Sequence, residues 1–113
     1  MDARLPAHLE VAGLIRLVQT AGGFAAVVKR GDREAGSILV ILAENGESLR
    51  VFERMPDPRG HRIWSLSLVE DPDNKALFQD RLTLRANQDP DLWIVELDIA
   101  NGERFIGLTA LND

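Results

Sequence analysis

The chain reads as an α+β domain: a two-layer sandwich in which a mostly antiparallel sheet of five to six strands carries two helices packed on one face. Three observations predict this. Two segments repeat apolar residues at helical spacing. Several short segments alternate apolar and polar residues, or run continuously apolar, as strands do. The connections are short, and two of them are Asn-Gly, a strong hairpin signal because both residues tolerate positive φ. Isolated helices of this length are marginal in water, so each must lay its apolar stripe on the sheet. The 113 residues, 45% of them hydrophobic, make a single domain over residues 1–113. Residues 1–6 and 107–113 are expected to fray.

The elements come in the following order. Leu9 to Ala21 is predicted helical, because Val11, Leu14, Ile15 and Val18 form one stripe and Gly22-Gly23 supplies a left-handed stop. Phe24 to Lys29 is a strand ended by Gly31. Ser37 to Ala43 is continuously apolar, which predicts a central strand covered on both faces. Asn45-Gly46 turns it into Leu49–Arg54, where Arg50, Phe52 and Arg54 share one face and Leu49, Val51 and Glu53 the other. Met55 to Gly60 is a Pro-rich loop, and Arg62 to Val69 alternates again. These four strands are expected to form a meander. Asp71 as N-cap and Pro72 at the first helical position open a second helix running to about Ala86. Leu92 to Ile99 is a strand expected to rejoin the sheet at an outer strand of the meander, with strand order left open. Asn101-Gly102 then turns into a short strand, Glu103 to Ile106.

Composition removes several function classes. There is no cysteine, so thiol nucleophiles, Cys-ligated zinc and iron–sulfur clusters are excluded. No secretory signal or membrane-length apolar run is visible, and a cytoplasmic location is the expectation. Net charge is −5. It is uneven: residues 1–69 hold nine Lys/Arg and eight Asp/Glu, residues 70–113 four and ten. Binding to duplex nucleic acid depends on cations displacing counterions, so nucleic acid is an unfavoured partner.

Motif by motif, no catalytic constellation forms. His8-x-Glu10 opens the zinc deaminase signature, but the cysteine half is missing. Two histidines, His8 and His61, cannot make a three-His zinc site. No G-x-S-x-G elbow surrounds a serine. Gly31 to Ser37 has the glycine spacing of a phosphate loop but lacks its lysine, carries two acids and leads into a strand, so it reads as a hairpin loop. Asp71 to Lys75 fails as a calcium loop at each diagnostic position. The expectation is therefore no metal and no cofactor.

Two groups remain as candidate sites. Arg50, Arg54 and Arg62, joined by Glu53 or His61 as general base or acid, would suit a carboxylate, a phosphate or single-stranded RNA if their strands pair. The plainer reading is a solvated sheet face balanced by Glu47 and Glu53. Trp64 and Trp93 are expected to fill core, while an exposed tryptophan would anchor a protein partner.

The succession Leu14-Ile15-Arg16, Ala21-Gly22-Gly23-Phe24-Ala25-Ala26-Val27, Arg30-Gly31-Asp32, Ala35-Gly36 and Asp89-Pro90-Asp91-Leu92-Trp93-Ile94-Val95-Glu96 resembles domain of unknown function family 1491, short proteins of alphaproteobacteria. The resemblance runs roughly from Arg4 to Phe105. It implies a cytoplasmic single-domain α+β protein and carries no activity, cofactor or site residue. The expected function is a small non-enzymatic binding or protein-interaction module, with a homo-oligomer or a protein as partner. The alternative is a small enzyme or binder of an anionic metabolite using the arginine cluster.

Overall fold

The computed structural model describes residues 5–56, 59 and 62–110. The order is α1 (Ala7–Thr20), β1 (Phe24–Lys29), β2 (Ile38–Glu44), β3 (Glu47–Pro56), β4 (Arg62–Val69), α2 (Lys75–Gln88), β5 (Trp93–Asp98) and α3 (Glu103–Ala110). The strands form one sheet in the order β1-β5-β2-β3-β4. All pairs are antiparallel except β2 with β5. The class is thus α+β with a mostly antiparallel sheet.

The sheet order follows from burial. Ile38 to Ala43 is buried at every position, and Trp93, Ile94, Val95 and Leu97 are buried on β5. Strands apolar on both faces belong in the middle of a sheet. Strand β5 therefore enters between β1 and β2 in parallel register, Ile38 opposite Trp93 through Ala43 opposite Asp98. This corrects the expected four-strand meander, which is limited to β2-β3-β4, and the expected rejoining at an outer strand. The connection from β1 to β2 is therefore no hairpin, because it passes over the start of β5.

Two cores lie on opposite faces of the sheet. On one, α1 contributes Ala7, Val11, Leu14 and Val18, and α3 contributes Phe105 and Ile106, against Ile38, Val40, Leu42, Trp93, Val95 and Leu97. On the other, Phe78 of α2 packs on Leu39, Ile41, Val51, Leu92 and Ile94, with Leu82 and Ala86 beside it. Two helices do share one face, but the second is α3, with α2 lying behind the sheet.

Local chemistry explains the helix ends. The first N–H groups of α1 find no side-chain cap after Pro6. Instead Ala7 N–H donates to Glu34 O and His8 N–H to Arg33 O, at 3.0 and 2.9 Å. At the other end Gly22 adopts φ 91°. The N–H of Gly22 donates to Gln19 O and that of Gly23 to Val18 O, a Schellman closure. Helix α2 starts later than the sequence suggests. Asp71 instead accepts from Asp73 N–H in a preceding turn, and Asn74 is the N-cap, its Oδ1 accepting from Leu77 N–H at 3.3 Å. Asn74→Ala is expected to cost about 1 kcal/mol, read as a lower denaturant midpoint at unchanged slope.

The Glu103–Ile106 strand is also corrected. These residues begin α3, with Arg104 N–H donating to Asn101 O and Phe105 N–H to Gly102 O. Phe105 and Ile106 are adjacent in sequence and both buried. A strand would send them to opposite faces, whereas a helix points both at one core. Residues 107–110, expected to fray, continue this helix.

Candidate functional site

Arg50, Phe52 and Arg54 do share a sheet face, but it is the face covered by α1 and α3. Opposite Phe52 lies Val40 of the α1-side core. The Arg54 side chain is only 2% exposed and that of Glu10 12%. Glu10 reaches down from α1 and holds the guanidinium in a two-pronged ion pair. Arg54 Nη2 donates to Oε1 at 2.7 Å and Nη1 to Oε2. The guanidinium also lies 5.2 Å from the Trp64 ring centroid. Arg50 is engaged too, with Nε 3.2 Å from Glu103 of α3 and Nη1 donating to Ser48 O at 2.9 Å. Glu53 lies on the far face and accepts from Arg85 of α2 at 2.9 Å. Arg50 and Arg54 of the expected cluster are therefore held in two ion pairs within the chain, a buried one from β3 to α1 and a half-exposed one from β3 to α3. The helices that neutralise them come from distant sequence, so strand alternation by itself pointed the arginines outward. Glu10 falls beside Val11 and Leu14 on the buried stripe of α1. A carboxylate at that position is the available sequence signal for a buried cation.

Beside this pair opens a cavity of about 310 Å³, lined by Leu5, Pro6, Ala7, Glu10, Glu34, Ala35, Gly36 and Arg54. Glu34, Ala35 and Gly36 of the loop from β1 to β2 form part of its wall. That loop is a clasp around the start of β5. Gly31 and Gly36 both pack against the carbonyl oxygen of Asp91, and a Cβ at either would overlap that oxygen. Asp32 N–H donates to the same oxygen at 3.0 Å, and Asp32 Oδ2 accepts from Glu34 and Ala35 N–H. Trp93 Nε1 donates to Asp32 O at 2.7 Å, with Arg30 over its ring at 5.9 Å. On the β1 side, Lys29 Nζ donates to the carbonyls of Asp89, Pro90 and Leu92. Every polar group of the clasp that these bonds describe is used within the fold.

The tryptophans separate. Trp93 is 3% exposed and forms core, so it offers no anchor to a partner. Trp64 is half-buried, and its Nε1 is buried without a hydrogen-bond partner among the described residues. His61 lies outside the described residues. Arg62 opens β4, but its side chain lies outside the described part. Among the described residues no group of three potential metal ligands gathers. No described helix is long and apolar enough to cross a membrane.

The outer edge of β4 was not singled out from sequence. Among the described residues it has no neighbour in the sheet, and the strand displays Ile63, Leu66 and Val69, which are 48%, 53% and 57% exposed.

The family model for proteins of unknown function DUF1491 matches residues 5–107. This chain belongs to the DUF1491 family. A crystal structure of a DUF1491 protein from Caulobacter crescentus CB15 is 30% identical with a TM-score of 0.74, covering 90% of this chain and 94% of that one. An NMR structure of a DUF1491 protein from the same organism is 31% identical with a TM-score of 0.72, covering 90% and 92%. Protein Atu0922 from A. tumefaciens is 28% identical with a TM-score of 0.72, covering 97% of each chain. No curated protein matches the chain. In this DUF1491 chain three of the segments that carry the family resemblance, Arg30-Gly31-Asp32, Ala35-Gly36 and the start of Asp89 to Glu96, meet in the clasp around the Asp91 carbonyl. Their chemistry is that of a close backbone crossing. The DUF1491 assignment brings no catalytic or ligand-binding residue with it.

Proposed function

We propose that this chain is a small non-enzymatic binding module that engages its partner through the outer edge of β4, in the cytoplasm. The observation that carries the proposal is an unpaired edge strand displaying three half-exposed apolar side chains. An edge of this kind presents free backbone donors and acceptors to an incoming strand. The opposite edge, β1, also exposes apolar side chains, Phe24, Val27 and Val28, but it is shorter, six residues against eight for β4, and its pairing is broken between Val27 and Lys29. A cysteine-free chain suits a reducing compartment. The alternative of anion capture has less support, because Arg50 and Arg54 already hold Glu103 and Glu10.

A photo-crosslinking residue placed at Leu66, and in a separate variant at Val28 on β1, tests this in cells. A discrete crosslinked product is expected from position 66 and none from position 28. Absence of product at 66, or equal yields at both, would overturn the assignment of β4 as the partner surface.

A further inference from the structure

We infer that the partner of the β4 edge is a second copy of this chain, paired antiparallel about Leu66 to give one ten-stranded sheet across a two-fold axis. This rests on the reading of β4 as the binding edge and goes beyond it by naming the occupant and the register. The argument comes from the order of residues along the strand. From Arg62 to Glu70 the chain runs cation, two apolar residues, Ser65, Leu66, Ser67, two apolar residues, anion. Reversed about Leu66, that order is the same except that the charges exchange sign. Two antiparallel copies therefore place like beside like in the middle and opposite charges at the ends, which is what a self-complementary two-fold interface requires.

The bulge in β4 shifts this register by one residue beyond Leu66 and keeps apolar side chains opposed on the α1 face. Leu66 pairs with Phe52 and Leu68 with Val51, so Ser67 is the extra residue. Beyond it Val69 pairs with Arg50, as Trp64 pairs with Arg54. Trp64, Leu66 and Val69 thus all stand on the α1 side of the sheet. With the extra residue in each copy, Leu66 meets its own counterpart and Trp64 meets Val69 of the second copy. The six side chains form one apolar strip continuing the α1-side core. The same offset sets Arg62 opposite Asp71, so a cation still faces an anion at each end, while on the other face Ser65 comes opposite Leu68 and Ile63 opposite Glu70.

The absence of cysteine makes the test clean. Residues directly opposed in antiparallel strands have Cα atoms about 4.5–5.5 Å apart, within the span of about 4.4–6.8 Å that a disulfide bridges. Purified Leu66→Cys at micromolar concentration is expected to oxidise to a covalent dimer about tenfold faster than Val28→Cys, because pairing raises the local thiol concentration. The unaltered chain should sediment at twice 12.5 kDa, and Leu66→Lys should halve that mass with unchanged far-ultraviolet circular dichroism. A monomeric unaltered chain, or equal oxidation at both positions, would overturn the self-pairing. If the cellular crosslink at Leu66 then has a mass other than that of two copies, the β4 reading stands and only the second copy falls. If there is no crosslink either, both fall.

Discussion

Gly31→Ala is expected to lower the melting temperature by about 12 °C. The new methyl group has no room: it would overlap the Asp91 carbonyl oxygen, with the Asp91 and Leu92 carbonyl carbons close behind. Backbone gives way less readily than a side chain, and overpacking costs about 1–3 kcal/mol, occasionally more. At the upper end, with about 4 °C per kcal/mol for a domain near 100 residues, the loss is of that size. Gly36→Ala meets the same oxygen and should cost about as much. The double variant should cost less than the two losses together, since once the crossing has opened for one methyl it admits the other. Gly13→Ala is the control. Gly13 lies within α1 with nothing within 4 Å of its missing Cβ, and replacing a helical glycine should stabilise by about 0.5–1 kcal/mol. Thermal unfolding of the four variants would check the set. Unchanged melting for Gly31→Ala and Gly36→Ala would show that the clasp is loose.

Arg54→Met should be of comparable severity, at about 3–5 kcal/mol, because it leaves the Glu10 carboxylate shielded by α1 with its counter-ion gone. The cost lies chiefly in the stranded charge. Arg54→Met combined with Glu10→Leu should therefore recover most of the loss, or exceed the original stability, since an apolar pair of similar volume often replaces a buried ion pair at no cost. Denaturant unfolding of both single variants and the double gives the coupling. Additive losses would mean that Glu10 and Arg54 contribute independently and that the ion pair is not what joins α1 to β3.

Much of the fold was legible because it rests on local spacing. The α1 stripe predicted Val11, Leu14 and Val18 as its buried contacts. The unbroken run from Ile38 to Ala43 announced a strand covered on both sides. Asn45 and Gly46 carry the positive φ angles that a tight turn between β2 and β3 needs. Two local signals misled. Asp71-Pro72 has the chemistry of a helix start, yet it forms a turn three residues before the helix. Asn101-Gly102 has the chemistry of a hairpin, yet Gly102 is set by a close approach of Leu42 and leads into α3. Both signals specify a turn and leave open whether a helix or a strand comes after it.

The candidate sites were less legible for a related reason. Arg50 and Arg54 looked available because their carboxylate partners, Glu103 and Glu10, sit on helices remote in sequence. Gly31 to Ser37 read as a hairpin loop, whereas Gly31 and Gly36 close a backbone crossing over the Asp91 carbonyl. The β4 edge is visible only once strand order is known.

The amino-acid sequence by itself determined which segments are helix and strand in most of the chain and which strand is most deeply covered, because each depends on residue type and spacing over a few neighbours. Only the tertiary structure decided that β5 enters the sheet beside β2, that α3 shares the face of α1, that the arginines are neutralised from within, and that β4 is left as an open edge. Those outcomes depend on which distant surfaces meet, and strands with similar apolar faces admit several neighbours until the helices cover them.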